Sequence, residues 1–123
     1  MTIRELYEKI GGNYDQAVRI MKSDRLIDKY VRKLGKSSVA ETLAEAGKSM
    51  DGEKLFESAH AMKGVCSNLG LDRLAKAADE ITEEFRPGNS RKLTDGEVKA
   101  RLQAIAELYR MTVEEIQAYE GNG

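Results

Sequence analysis

Seven residues near the C-terminus, Val98, Leu102, Ile105, Tyr109, Thr112, Ile116 and Tyr119, follow one another at alternating steps of four and three. That spacing holds one side of an α-helix against a partner along its whole length, which is the seam of a helical bundle. Thr94 and Glu97 supply a capping box at its start, hydroxyl and carboxylate each satisfying a free amide. A helix carrying this seam runs roughly 25 residues and spans on the order of 37 Å. The rest of the chain must then provide helices to pack on it.

It does so repeatedly. Leu71, Leu74, Ala75, Ala78, Ile81, Thr82 and Phe85 form a clean helical stripe, broken by Pro87-Gly88-Asn89. Leu55, Ala59, Met62, Cys66 and Leu69 form the expected core face of another helix, capped by Asp51 and closed by Gly70. Ser38 and Glu41 read as a capping box ahead of Ala40, Leu43, Ala44 and Gly47. Upstream, Thr2 with Glu5 forms a further box before Ile3, Leu6, Tyr7 and Ile10, and Gly11-Gly12 ends that segment. Asn13 caps Tyr14, Ala17, Val18 and Met21 on one side. Ser23 caps a segment with Leu26, Ile27, Tyr30, Val31 and Leu34 inward, and Gly35 terminates it, because glycine accepts positive φ cheaply.

No segment alternates like a strand, and no internal repeat, low-complexity stretch or linker stands out. The fold class expected is all-α: an antiparallel up-down-up-down four-helix bundle over about 38–119, with short N-terminal helices from about 2–34 covering one end or side. The bundle helices are read as Ser38–Lys48, Gly52–Leu69, Leu71–Arg86 and Asp95–Tyr119, with 120–123 as a frayed tail. At 123 residues the chain is expected to be one domain with one core.

Composition excludes several functions. Twenty basic side chains oppose 21 acidic ones, so neither nucleic acid nor anionic lipid attracts the whole chain. Arg86, Arg91 and Lys92 make only a short basic loop. No run of about 18 apolar residues exists to span a membrane, and Met1-Thr2-Ile3-Arg4-Glu5 lacks a signal pattern. One cysteine permits no intrachain disulfide. A reducing, cytoplasmic setting fits these features. There is no G-x-x-x-x-G-K loop, no H-E-x-x-H and no paired-cysteine spacing, and a second histidine is missing. No metal site and no cofactor are expected.

The single histidine, His60, therefore draws attention. With His60 at zero on a helical wheel of ~100° per residue, Lys63 falls near about −60°, Gly64 about +40°, Ser67 about −20° and Asn68 about +80°. The core face lies about 140° away, so His60 is expected to face solvent. A solvent-facing imidazole is mostly neutral at cytoplasmic pH and offers a lone pair, which attack on phosphorus requires. Lys63, one turn onward, can approach phosphoryl oxygens as a point charge, and Ser67 can add a hydroxyl. Gly64 costs ~1 kcal/mol against alanine inside a helix, a cost that close approach of a partner would offset. Phe56, four residues earlier, offers an apolar contact on the same flank, and Asn68 a rim contact. Cys66 points inward and reads as packing.

The string Ala59-His60-Ala61-Met62-Lys63-Gly64-Val65-Cys66-Ser67-Asn68-Leu69-Gly70 resembles the histidine-containing phosphotransfer domains of bacterial multistep two-component relays. Their motif reads A-H-x-[LM]-K-G-x-x-x-x-L-G on the second bundle helix, and Ala59-His60, Met62-Lys63-Gly64 and Leu69-Gly70 match it. The likeness extends from about Asp24 to Tyr119 as helix order and apolar pattern. Leu6 to Tyr14 is similar to the start of free-standing members. The resemblance implies that His60 accepts a phosphoryl group on its ε nitrogen from a receiver-domain aspartyl phosphate and passes it to a second receiver. Lys63 would then stabilise the phosphate, Gly64 leave room for the receiver, and Gly70 end the helix. The implied partners are response-regulator receivers and a hybrid sensor histidine kinase, with magnesium and an acidic pocket on the receiver's side and a monomeric carrier. Two other readings stand beside it: a docking protein with an idle histidine, and a small enzyme pairing His60 with Glu57 or Glu53, for which an exposed helix face is a poor site.

Overall fold

The computed structural model describes residues 1–122. Among these it contains seven helices and no strand: α1 (Ile3–Ile10), α2 (Tyr14–Met21), α3 (Asp24–Gly35), α4 (Val39–Ser49), α5 (Gly52–Asn68), α6 (Asp72–Phe85) and α7 (Asp95–Asn122). Local chemistry sets most of the starts. Both Thr2/Glu5 and Thr94/Glu97 close reciprocal capping boxes, with bonds of 2.9–3.1 Å. Asn13, Ser23 and Asp51 each accept the backbone N–H three residues on. Pro87-Gly88 separates α6 from α7, with Gly88 at φ +93°.

The helices pack as a bundle: α4 on α5, α5 on α6, α6 on α7, and α7 back on α4. Cross-contacts give their directions. Gly52 at the start of α5 lies against Phe85 at the end of α6, and Lys63 pairs with Asp79. Arg101 near the start of α7 pairs with Glu80 late in α6. Helix α7 also receives α1 and α3, α3 on its later half. There the Tyr109 hydroxyl donates to the Leu34 carbonyl at 2.9 Å, and the Tyr119 hydroxyl to Asp28. All seven seam residues of α7 are buried.

One core runs through the whole assembly, and the N-terminal helices share it. Leu6, Tyr7 and Ala17 join Leu55, Met62, Ile81, Val98 and Ile116 in a single buried cluster. Every predicted core residue of α5 is at most 1 % exposed.

Several local expectations are corrected. Ser38 forms no side-chain cap, because its backbone (ψ 11°) is not extended and its hydroxyl does not face the free amides. Ser37 Oγ accepts from the Val39 N–H instead. Leu26 and Tyr30 lie on the outer edge of the α3 stripe, 38 % and 37 % exposed. Ala44 faces solvent and Ala46 takes its place inside. Gly35 is the last residue of α3 and not its left-handed terminator. A Cβ there would press on Ile116 at 3.0 Å, so helix–helix proximity explains the glycine. The expected frayed tail is helical as far as Asn122, and Glu120 is half-buried beside Arg32 and Lys36. Gly123 lies outside the described residues.

Glu84 was not legible as a structural residue, yet it clamps the α6–α7 loop. Its carboxylate accepts from Arg91 Nε at 2.9 Å and from the backbone N–H groups of Lys92 and Leu93 at 3.0 and 2.9 Å. Burial alone would raise its pKa, but the Leu93, Arg91 and Lys92 donors outweigh burial and hold it below the ordinary glutamate range. A depressed folded-state pKa stabilises the fold above the unfolded value and is lost as pH falls through the folded one. Glu84→Gln is expected to cost ~2 kcal/mol at neutral pH and to flatten the acid limb of a stability–pH curve below about pH 4.5. Denaturant melts of both proteins across pH 3–7 check this; identical acid limbs would remove Glu84 from the explanation.

Candidate functional site

Helix α5 is a stiff mount held at both ends. Asp51 caps its start at 3.2 Å. At its end the Gly70 N–H bonds the Ser67 carbonyl and the Leu71 N–H bonds the Cys66 carbonyl, with Gly70 at φ +68°. This paired closure is a Schellman motif, and it needs a residue that tolerates the left-handed region. The N-terminal helices grip the same turn. The Tyr7 hydroxyl donates to the Leu69 carbonyl at 2.6 Å, and the Asn13 N–H donates to the Gly70 carbonyl at 2.7 Å. Burial pushes the Tyr7 phenol well above its usual pKa, so it stays a donor.

With Leu55, Ala59, Met62 and Cys66 facing the core, His60 projects into solvent. Its ring stacks on Phe56, centroids 5.7 Å apart and planes 11° from parallel. Gly64 is exposed, and a Cβ built on it would meet nothing within 4 Å. Packing therefore gives no reason for that glycine. Ser67 is half-buried and Asn68 exposed farther along the same side. Cys66 is fully buried, and burial pushes its thiol up to about 12, which leaves it unreactive near neutrality. Lys63 is brought to the site but is not free in it. Its ammonium lies 2.8 Å from Asp79 Oδ1 on α6.

The arrangement presents one accessible nucleophile, a cation one turn away, and open helix surface beside both. A family model described as the Hpt domain matches residues 31–119. The chain belongs to the Hpt domain family. Comparison with curated proteins and with solved structures returned no match.

Membership gives this Hpt chain a role in histidine phosphotransfer within a phosphorelay, with two-component proteins as its partners in general. Hpt domains are phosphotransfer intermediates and not classical enzymes. Among the described residues no group of three or more His, Cys, Asp or Glu side chains could hold a metal, and no helix is long and apolar enough to cross a membrane.

Three features of the Hpt face escaped the sequence reading. Asp79 engages Lys63 from 16 positions away, a separation that carries no local signal. Arg86, read as part of a basic loop, lies with its guanidinium carbon 5.3 Å from the Phe56 ring centroid while bonding Glu83 at 2.8 and 3.0 Å. That bond holds the Glu83 carboxyl below its usual pKa. Third, a cleft of about 510 Å³ opens beside α5, with Ile20, Met21, Tyr30, Val65 and Asn68 among its walls. Ile20 and Val65 are 44 % and 42 % exposed. Ile20, Met21 and Tyr30 precede the matched residues 31–119, so α2 and the first part of α3 supply walls of this cleft from outside the family pattern. The sequence reading had turned Tyr30 inward with the apolar stripe of α3, so its place in this cleft carried no signal.

Proposed function

We propose that this Hpt chain carries a phosphoryl group on His60, taking it from the aspartyl phosphate of one receiver domain and delivering it to the aspartate of another. The ring ε nitrogen attacks phosphorus in line as the aspartyl oxygen–phosphorus bond breaks. The aspartate leaves as a carboxylate, and the ring gives up its other N–H proton or holds it as phosphoimidazolium. The receiver's divalent cation and carboxylates neutralise the charge that develops, so the carrier needs only position and access. The observation that carries the reading is His60 standing exposed beside an exposed Gly64 that no packing requires.

Lys63 and Ser67 serve the phosphoryl oxygens, and Gly64, Phe56 and Asn68 form the ground on which the receiver settles. From His60 that ground continues across Gly64 to Asn68 and Val65, and so into the apolar cleft against Ile20 and Tyr30. Seven basic and two acidic side chains lie between residues 19 and 36, in a chain whose net charge is −1. An acidic receiver face is the complement of that strip. Gly70 ends the bearing helix. We read α4 to α7 as an up-down-up-down bundle with α1 to α3 over one end and side, acting as a cytoplasmic monomer between a hybrid sensor kinase and a response regulator. The chain itself is expected to bring neither metal nor nucleotide.

Incubating the purified chain with phosphorylated receivers and mapping the modified residue tests the proposal. Acid-labile, base-stable phosphate on His60 supports it; its absence across several receivers supports a docking protein with an idle histidine. Gly64→Gln should lower the rate of receiver-to-carrier transfer at least tenfold by obstructing approach, while raising helix stability by up to ~1 kcal/mol. An unchanged transfer rate in that variant would count against the access role of Gly64.

A further inference from the structure

Lys63 is expected to serve the phosphoryl group, yet in the unphosphorylated protein its ammonium is occupied. It lies 2.8 Å from Asp79 Oδ1, across the α5–α6 interface. That oxygen is closed to solvent and accepts no aligned hydrogen bond, so the charge contact with Lys63 is what compensates its burial. Both side chains are otherwise open to water, Lys63 36 % and Asp79 41 % exposed. Such a pair is weakly held, and a second anion can compete for the ammonium. A phosphoryl group on His60 would be that anion, one helical turn away on the same face.

From this geometry we infer that Asp79 is a positioning residue, the resting counter-ion that holds Lys63 until phosphorylation of His60 draws it away. The inference rests on the carrier reading above and specifies how its cation is regulated. Asp79, in direct contact on α6, and the transient phosphoryl group on α5 compete for the same ammonium. Asp79 thereby weakens the grip of Lys63 on the phosphoryl group and keeps the phosphohistidine ready to pass on. Arg86 is held by Glu83 and lies against Phe56, so a second guanidinium stands close by but has its own carboxylate. Glu83 and Arg86 also act through charge on Lys63 and Asp79, so the exchange sits in a cluster of two cations and two carboxylates, of which Lys63 is the cation one turn from His60.

The test uses the full chain and phosphoramidate, a small donor that needs no docking surface. Its phosphorus–nitrogen bond breaks as the His60 ring nitrogen–phosphorus bond forms, and the amine departs as ammonia after taking up a proton. The phosphohistidine half-life is then followed by phosphorus NMR for wild type, Asp79→Asn, Lys63→Ala and the double variant. Asn matches Asp in shape at a half-exposed position, so the fold should survive, and a circular-dichroism melt verifies that. Asp79→Asn should lengthen the half-life roughly two- to fivefold, the range a half-exposed ion pair commands. Lys63→Ala should shorten it, and the double variant should match Lys63→Ala alone. A half-life unchanged or shortened by Asp79→Asn, or an equal effect of Asp79→Asn with Lys63 absent, overturns the role of Asp79 and leaves the carrier reading standing. A wild-type chain that takes up no phosphoryl group from phosphoramidate or from a receiver overturns both.

Discussion

His60→Gln is expected to reduce phosphoryl uptake from a phosphorylated receiver by more than about 100-fold, to the background of the assay, while the helices and their melting remain as they were. The two halves of this expectation have separate causes. A glutamine amide offers no lone pair able to displace an aspartate from phosphorus, and the chain has no second imidazole to take over. The barrier lost is the whole of nucleophilic attack, which no nearby group can supply: Cys66 is buried with its thiol pushed up to about 12. Structurally little is removed. His60 is exposed and contributes a stacked contact with Phe56, worth at most ~0.5–1.5 kcal/mol. Glutamine regains a few tenths of a kcal/mol, roughly, through its better helix propensity. Stability should therefore stay within ~1 kcal/mol of wild type. Acid-labile phosphate measured by gel or phosphorus NMR reads the first half, and a thermal melt reads the second. A His60→Gln protein labelled as fully as wild type would remove the carrier reading at its root.

What the sequence made legible follows the range over which each physical rule acts. Capping boxes at Thr2 and Thr94 span three residues, and both form. The seam from Val98 to Tyr119 repeats often enough to outvote any single exception, and every member is buried. The core face of α5 was equally clear, which is why His60 could be placed outside it from a wheel alone. Rules failed where a local pattern had a tertiary competitor. Ser38 had the right partner at Glu41, but the backbone enters α4 in a conformation that leaves Ser37 to take the amide. Gly35 looked like a helix terminator and is a point of approach to Ile116. Tyr30 fitted an inward stripe and instead lines the cleft beside α5. Asp79, Glu84 and Arg86 all lie on or beside α6, where charged residues read as a solvated face. Their partners, Lys63, the Lys92 and Leu93 backbone with the Arg91 side chain, and Phe56, are set by how α6 packs and by the loop after it. The nucleophile was visible because its uniqueness is compositional. Its electrostatic surroundings were not, because they are assembled from two helices.

The largest loss of stability is expected from Gly70→Ala, a change of one methyl group at the turn that ends the His60 helix. Gly70 occupies φ +68°, a region that costs an L-residue ~1–2 kcal/mol. The methyl would also collide with the Asn13 carbonyl oxygen, and would press on its carbon at 3.2 Å and on the Ala17 nitrogen at 3.3 Å. These are backbone atoms at the start of α2, so no rotamer change relieves them. Relief requires α1 and α2 to lift away, breaking the Asn13 N–H bond to Gly70 at 2.7 Å and straining the buried Tyr7 bond to Leu69 at 2.6 Å. Together these effects should cost ~3–5 kcal/mol, a large share of a small domain's ~5–15 kcal/mol, and lower Tm by on the order of 10 °C or more. Gly64→Ala is the internal control. The same methyl added where nothing lies within 4 Å, inside a helix, should stabilise by up to ~1 kcal/mol. Hydrogen exchange distinguishes the route: in Gly70→Ala the amides of α1 and α2 should lose protection before those of α5 to α7. Equal and small effects of the two substitutions would mean that the N-terminal helices do not grip the end of α5, and that the mount of His60 depends on the bundle alone.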